Sequence, residues 1–217
     1  MSRDRHSSAR TLRDLVSKEA WAEMTRRPLG FRPPGVTLLE QGTPGTGAFA
    51  LISGMVKVIR RDRGDRQRLL AFRGPGEVLG EMALQYGGER LADVRTMSRC
   101  RVVWISAGDF HHLVKQHDLA YSLAVVASSR LREQTEMYDG AIHQRLAMAL
   151  LRLVDISEGV CSFSLTREEL AQHIGAGRNS VTKGLRALGP DKVRVEKGRI
   201  IVSSVEGLKR ALADAGP

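Results

Sequence analysis

Cys100 and Cys161 are the only thiols in this 217-residue sequence, too few and too scattered for a disulfide framework, an iron–sulfur cluster or a cysteine-based zinc site. Both are expected to be small core residues. No apolar run approaches membrane-spanning length, and the opening MSRDRHSSARTLRD lacks the apolar core of a secretion signal. A soluble, cytoplasmic protein without membrane association is the expectation. No Ser or Cys stands in a nucleophile motif, and Glu168 and Glu169 are explained by helix capping, so no catalytic residue is named and an enzyme is not expected. His111, His112 and His117 cluster at a helix end, but no two are one turn apart with a third ligand beside them. They are expected at the surface, with no metal.

What the sequence has in excess is positive charge. Lys and Arg number 34 against 24 Asp and Glu, a net charge of +10, with an isoelectric point near 10.3. That balance favours a polyanionic partner. A hydrophobic content of 42% supports a real core, and the length suits two modest domains better than one large one.

The most informative stretch is LTREELAQHIGAGRNSVTKGLRAL, Leu165 to Leu188. Thr166 can cap a first helix, with Glu169 three residues on completing a capping box, and Leu170 and Ile174 fall one turn apart on a buried face. Gly175-Ala176-Gly177 ends that helix. A second begins at Arg178, places Val181, Leu185 and Leu188 on one apolar stripe, and stops at Gly189-Pro190. This is a helix-turn-helix. Arg178, Asn179, Lys183 and Arg186 are left facing outward with no carboxylate among them, which suits a helix in a major groove: Arg and Lys pair with phosphate or guanine, and Asn can read adenine. Thr166, Arg167 and Ser180 join Arg178, Asn179 and Lys183 as candidate contacts. Val193 to Val195 and Ile200 to Val202 form a basic hairpin, a wing that brings Lys197 and Arg199 to backbone phosphates.

Upstream, a short helix is expected around Leu12 to Met24. From Phe31 to Ser106, β-branched runs (Val36 to Leu39, Phe49 to Ile52, Val56 to Ile59, Arg68 to Phe72, Val102 to Ile105) alternate with glycine-rich turns, the texture of an antiparallel roll. Trp104 and Phe110 are expected to be core anchors. From about Asp118 to Gly140 neither proline nor glycine interrupts the chain, which predicts a long helix. Ala120, Ala124, Ala127, Leu131, Gln134, Tyr138 and Ala141 recur at the spacing of a coiled-coil seam between two copies of the chain, while Leu119, Leu123 and Val126 form a second stripe that can pack on the roll. A linking helix, Gln144 to Val154, follows. The fold class is therefore α+β: an N-terminal helix and antiparallel β-roll (1–117), a dimerisation helix and hinge (118–142), and a C-terminal winged helix-turn-helix (143–217).

Between the strands lies GEVLGEMALQYGGERLADVR, residues 76 to 95. A short helix starting at Gly80-Glu81-Met82 would expose backbone N–H groups, and Arg90 adds a full positive charge, so an anion could sit there. Glu81 could accept from a sugar hydroxyl. On the residues alone, a Glu–Arg structural ion pair explains the motif equally well.

Taken together these pieces resemble the cyclic-AMP receptor protein and fumarate–nitrate regulator (Crp/Fnr) family of bacterial transcription regulators. FRPPGVTLLEQGTPGTGAFALISGMVKVIRR looks like the family's opening roll strands, GEMALQYGGERLADV like its phosphate-binding cassette, and LTREELAQHIGAGRNSVTKGLRAL like its DNA-reading unit. The resemblance implies an effector-responsive homodimer on a pseudo-palindromic operator in double-stranded DNA, with RNA polymerase as a further partner and cyclic AMP or another cyclic nucleotide as effector. Gly80 and Glu81 would meet ribose and phosphate, Arg90 the cyclic phosphate, and Arg130, Gln134 and Thr135 phosphate and purine. Met82 and Leu91 flank that site. Three departures stand out. Leu91 replaces the small residue usual after the cassette arginine, which opens the alternative of a ligand-independent regulator with a pocket closed by Leu91. Asn179 replaces an acidic base reader. The N-terminus has no cysteine cluster, which argues against an iron–sulfur sensor. An architectural DNA binder is a further alternative that the charge permits.

Overall fold

A computed structural model describes residues 11–64, 66–136 and 140–213. Tyr138, assigned to the seam by its spacing, lies outside them. The chain divides into two compact units, residues 1–60 with 73–132, and residues 61–72 with 133–217.

The first unit opens with two short helices, α1 (Leu12–Leu15) and α2 (Lys18–Met24), where the sequence suggested one. The break has a local cause: Val16 is extended, and Ser17 caps α2 by accepting from the Ala20 N–H. The strands that follow are β1 (Leu29–Arg32), β2 (Thr37–Leu39), β3 (Gly47–Ser53), β4 (Val56–Arg61), β5 (Gln67–Arg73), β6 (Val78–Leu79), β7 (Asp93–Thr96) and β8 (Cys100–Ser106), of which residues 61–72, nearly all of β5 included, belong to the second unit. They form two four-stranded sheets, ordered β1-β8-β3-β6 and β2-β7-β4-β5. Strands β1, β6 and β7 were not anticipated; each is short and gains its order from neighbours already present.

Alternation explains how β3 and β8 come to be buried on both faces. Ala48, Ala50, Val103 and Ile105 join a cluster with Leu12, Met24, Phe110, Leu113, Leu123 and Val126 from the helices. Phe49, Leu51, Cys100 and Val102 point the other way, into a cluster with Leu39, Val56 and Val94 of the second sheet. Cys100 is thus a core residue, whereas Cys161 is only half-buried. Phe110 is a core anchor as expected. Trp104 is not: 40% of it is exposed, with its ring set edge-on to Phe49 at 4.8 Å between centroids. One side of the indole lies over Gly47, where an added Cβ would overlap it.

After β8 come α4 (Ala107–Gln116), capped by Ser106, and the long helix α5 (Ala120–Glu136). The two are separated at Asp118, whose φ of 47° is outside the helical region. Along α5 the two stripes part cleanly: Leu123 and Val126 are buried, whereas Ala120, Ala124, Ala127 and Leu131 are exposed, Leu131 to 68%.

In the second unit, α6 (Ile142–Ile156) precedes β9 (Ser162–Phe163), α7 (Arg167–His173), α8 (Arg178–Leu188), β10 (Val193–Glu196), β11 (Arg199–Val202) and α9 (Val205–Ala213). The sheet order is β10-β11-β9. Helix α8 crosses α6 at Gly184, where an added Cβ would lie 2.7 Å from Leu146 Cδ1 and 3.1 Å from Ile142 Cγ2. A larger residue would have to displace those buried side chains, which gives a packing reason for a poor helix former inside the second helix of the motif.

Candidate functional site

The glycine-acid-arginine cassette folds as β6, a left-handed turn and a helix, α3 (Glu81–Tyr86). Gly80 caps that helix with φ of 88°, and a Cβ there would overlap Arg90 Nη1 and lie 2.7 Å from Leu39 Cδ1. Both the backbone angle and the space therefore call for glycine. This close approach lets Arg90 enter: it is 6% exposed, and Nη2 donates to the Gly47 carbonyl at 2.7 Å while Nη1 lies 3.4 Å from the Gly80 carbonyl. Both partners are neutral. Burial accordingly pushes the Arg90 guanidinium below its ordinary pKa, with no carboxylate to reverse the shift. A buried cation held only by carbonyl dipoles is an arrangement that an anion would complete.

Glu81 is occupied differently. Arg130, from the inward face of α5, pairs with Glu81 through Nη1, and its Nη2 lies 2.8 Å from Glu77 Oε2 and 3.1 Å from the Val78 carbonyl. Arg73 Nε stands 3.6 Å from the other Glu77 oxygen. Burial alone would lower the Arg130 pKa, but the charges of Glu81 and Glu77 outweigh it and hold the guanidinium above its ordinary value. Nε of Arg130 is buried without a hydrogen-bond partner among the described residues.

The structure thus brings together Gly80, Glu81, Arg90 and Arg130, through contacts of Arg90 with Gly80 and of Arg130 with Glu81. Gln134 and Thr135 are exposed on α5, on the side of Leu131. Met82 and Leu91 are also exposed, and Leu91, at 54%, belongs to neither core cluster. Gly47, Glu77 and Arg73 were missed in the sequence. The repeated acid of GEVLGE was the one available signal for Glu77; nothing local marked Gly47, which is 43 residues from the arginine it holds.

The helix-turn-helix is built as its punctuation predicts. Thr166 accepts from the Glu169 N–H at 3.1 Å, and the Thr166 N–H donates to the Glu169 carboxylate at 2.9 Å. Gly175 and Gly189 both take positive φ at the ends of α7 and α8. Arg178, Asn179, Lys183 and Arg186 are exposed; Val181, Gly184, Leu185 and Leu188 are buried. Ser180 and Arg167 are half-buried, and Lys197 and Arg199 are exposed on the wing, whose turn is made at Gly198 with φ of 70°. Of the histidines, His117 pairs with Glu23 at 2.8 Å and His111 bonds the Leu84 carbonyl at 3.0 Å. Among the described residues, no helix is long and apolar enough to cross a membrane.

Residues 31–117 match the cyclic nucleotide-binding domain, and residues 144–211 the Crp-like helix-turn-helix domain. The chain is 31% identical over 189 residues to the cyclic AMP receptor protein of Thermus thermophilus, covering 81% of this chain and 87% of that one. It is 30% identical over 209 residues to the CRP-like cAMP-activated global transcriptional regulator of Mycobacterium tuberculosis, covering 90% and 93% respectively. A solved structure of a CRP/FNR-family transcriptional regulator from Thermus thermophilus superposes with a TM-score of 0.71 at 26% identity, covering 87% of this chain and all of that one. With a roll that holds a buried arginine behind a glycine turn, and a capped helix-turn-helix with a basic outer face, the chain belongs to the Crp/Fnr family and is a Crp-like transcription regulator.

Proposed function

We propose that the protein works as a homodimer on a pseudo-palindromic DNA operator, and that a cyclic nucleotide, anchored through its phosphate by Arg90, controls it. The observation that carries the effector reading is the 6% exposed Arg90, whose hydrogen-bond partners among the described residues are carbonyl oxygens. The names of two relatives, a cyclic AMP receptor and a cAMP-activated regulator, support cyclic AMP as the first ligand to test. Gly80 and Glu81 would meet the phosphate and ribose, with the exposed Leu91 at the margin. Arg178, Asn179 and Lys183 would read bases, and Lys197 and Arg199 would hold phosphates. Exposure of Leu131 and the alanines of α5 supports a second copy as the partner of that face. RNA polymerase is the further partner this reading implies, and no catalytic role is assigned.

A ligand-independent regulator is the second reading. It draws on Arg130, which already occupies the Glu81 carboxylate that a ribose would need. Calorimetry of the wild type with cyclic AMP and cyclic GMP separates the two: saturable heat at micromolar to low millimolar ligand supports the first, and its absence the second. For DNA, Arg178→Ala is expected to cost about 1–3 kcal/mol on a selected operator and to relax preference at one position per half-site. Unaltered operator binding in gel shift would reject α8 as the reading helix.

A further inference from the structure

The hairpin between β4 and β5 is strongly basic. Residues 61–68 read RDRGDRQR, four arginines against two aspartates in eight positions. Asp62 is consumed inside the turn: its Oδ1 accepts from the Gly64 N–H at 2.8 Å and the Arg66 N–H at 3.0 Å, and its Oδ2 meets Arg66 Nε at 3.0 Å. These bonds hold the Asp62 carboxyl below its ordinary pKa, the Arg66 backbone bond contributing most. The clasp orders the tip without covering it. Arg63 and Arg68 are exposed, and the Arg66 side chain remains 86% exposed despite its pairing.

What the tip is attached to matters more than its charge. Residues 61–72 form one compact unit with residues 133–217, and within that unit the Phe72 ring packs edge-on against His173 of α7, centroids 4.8 Å apart. Both rings are almost fully buried, at 1% and 3% exposure. The basic tip is therefore fixed, through a buried aromatic contact, to the unit that also exposes Lys183, Arg186, Lys197 and Arg199. Guanidinium forks pair bidentately with phosphate oxygens, and a cation fixed to the body that binds a polyanion adds to the attraction where it comes within about a Debye length of a phosphate.

We propose that the arginines at the tip of this hairpin form a second DNA-backbone contact surface, separate from the recognition helix and wing, which adds sequence-independent phosphate contacts to the footprint. The proposal rests on the DNA-reading role of the helix-turn-helix, and its test is arranged so that the two can fail separately. Full-length protein is titrated by fluorescence anisotropy against a labelled random-sequence duplex of about 60 base pairs over a potassium chloride series, since log K falls with log salt by ~0.9 per phosphate neutralised. Arg63→Gln/Arg66→Gln is expected to weaken binding at low salt and to make the slope shallower by ~0.9 per lost contact, about 2 in all. Arg63→Glu, a charge change of the same size that leaves the Asp62 clasp intact, should weaken binding comparably while keeping the wild-type urea midpoint. Slopes and affinities equal to wild type in both variants overturn the proposal, and so does a loss confined to DNA-independent partners such as an acidic protein. Lys183→Ala is the reference: weakening there without weakening at the hairpin rejects the hairpin surface alone, whereas no weakening at either rejects the recognition helix as well.

Discussion

Nη2 of Arg90 lies 2.7 Å from the carbonyl oxygen of Gly47, the first residue of β3, and this one bond holds a cation at the cassette. A cation buried among dipoles without a counter-ion is stable only where its fixed partners are well placed, so the glycines around it are part of the site.

Arg90→Ala is accordingly expected to remove about 1.5–3 kcal/mol of affinity for a cyclic nucleotide, the contribution of one charge-assisted bond. Gly80→Ala should act through the same group, because its Cβ would displace Arg90 and its φ of 88° disfavours any side chain, at a stability cost of about 1–2 kcal/mol. Calorimetry for the first and urea denaturation for the second are the measurements. Unchanged affinity in Arg90→Ala would remove Arg90 from the site.

Arg130 makes the opposite kind of contribution. Replacing it with Met takes the guanidinium from buried Glu81 and leaves buried Glu77 facing Arg73, a loss of about 3–5 kcal/mol in stability. Adding Glu81→Gln to that variant should recover part of the loss, since one uncompensated charge is then gone. A stability change below about 1 kcal/mol for Arg130→Met would show that the cluster is solvated and weak.

Leu131→Asp tests the dimer. The side chain is 68% exposed in the single chain, so the substitution should leave the fold intact while placing two like charges at the proposed seam. Sedimentation is expected to give a monomer at micromolar concentration, with loss of operator affinity. Persistent dimers would move the interface elsewhere.

Acid should weaken the tie between α2 and α4. The bond from His117 chiefly holds the Glu23 carboxyl below its ordinary pKa. Because the folded value is depressed, the stabilisation is present above the unfolded carboxylate range and disappears as pH falls through the lower, folded value. The stability difference between wild type and Glu23→Gln should therefore shrink between neutral pH and strong acid in urea denaturation. A constant difference would mean that the pair contributes nothing through charge.

The sequence disclosed those features whose causes are local. Thr166 and Glu169 are three residues apart, so a capping box is written in four letters; the two stripes of α5 follow from helical spacing, and burial divides Leu123 from Leu131 as that spacing requires. The break at Ser17 was also local, but a weak serine cap was hidden inside an apolar pattern. What stayed hidden was made by distance. Gly47 holds Arg90 across 43 positions, Arg130 reaches Glu81 across 49, and β1 exists because β8 is there to pair with it. Leu91, whose bulk opened the alternative of a closed pocket, is 54% exposed, and the contact of Arg130 with the Glu81 carboxylate was not legible in the sequence.

Arg130 and Leu131 are consecutive, so about 100° of turn and about 1.5 Å of rise separate the side chain that grips the cassette from the one that faces outward. Because α5 is a single stiff rod at this point, those two side chains share one rotation. A rotation of α5 that drew Arg130 away from Glu81 would swing Leu131 through the same arc, with no relay of intervening residues. Communication between the cassette and the outer face of α5 then becomes a property of the helix's orientation, set like the angle of a key in a lock.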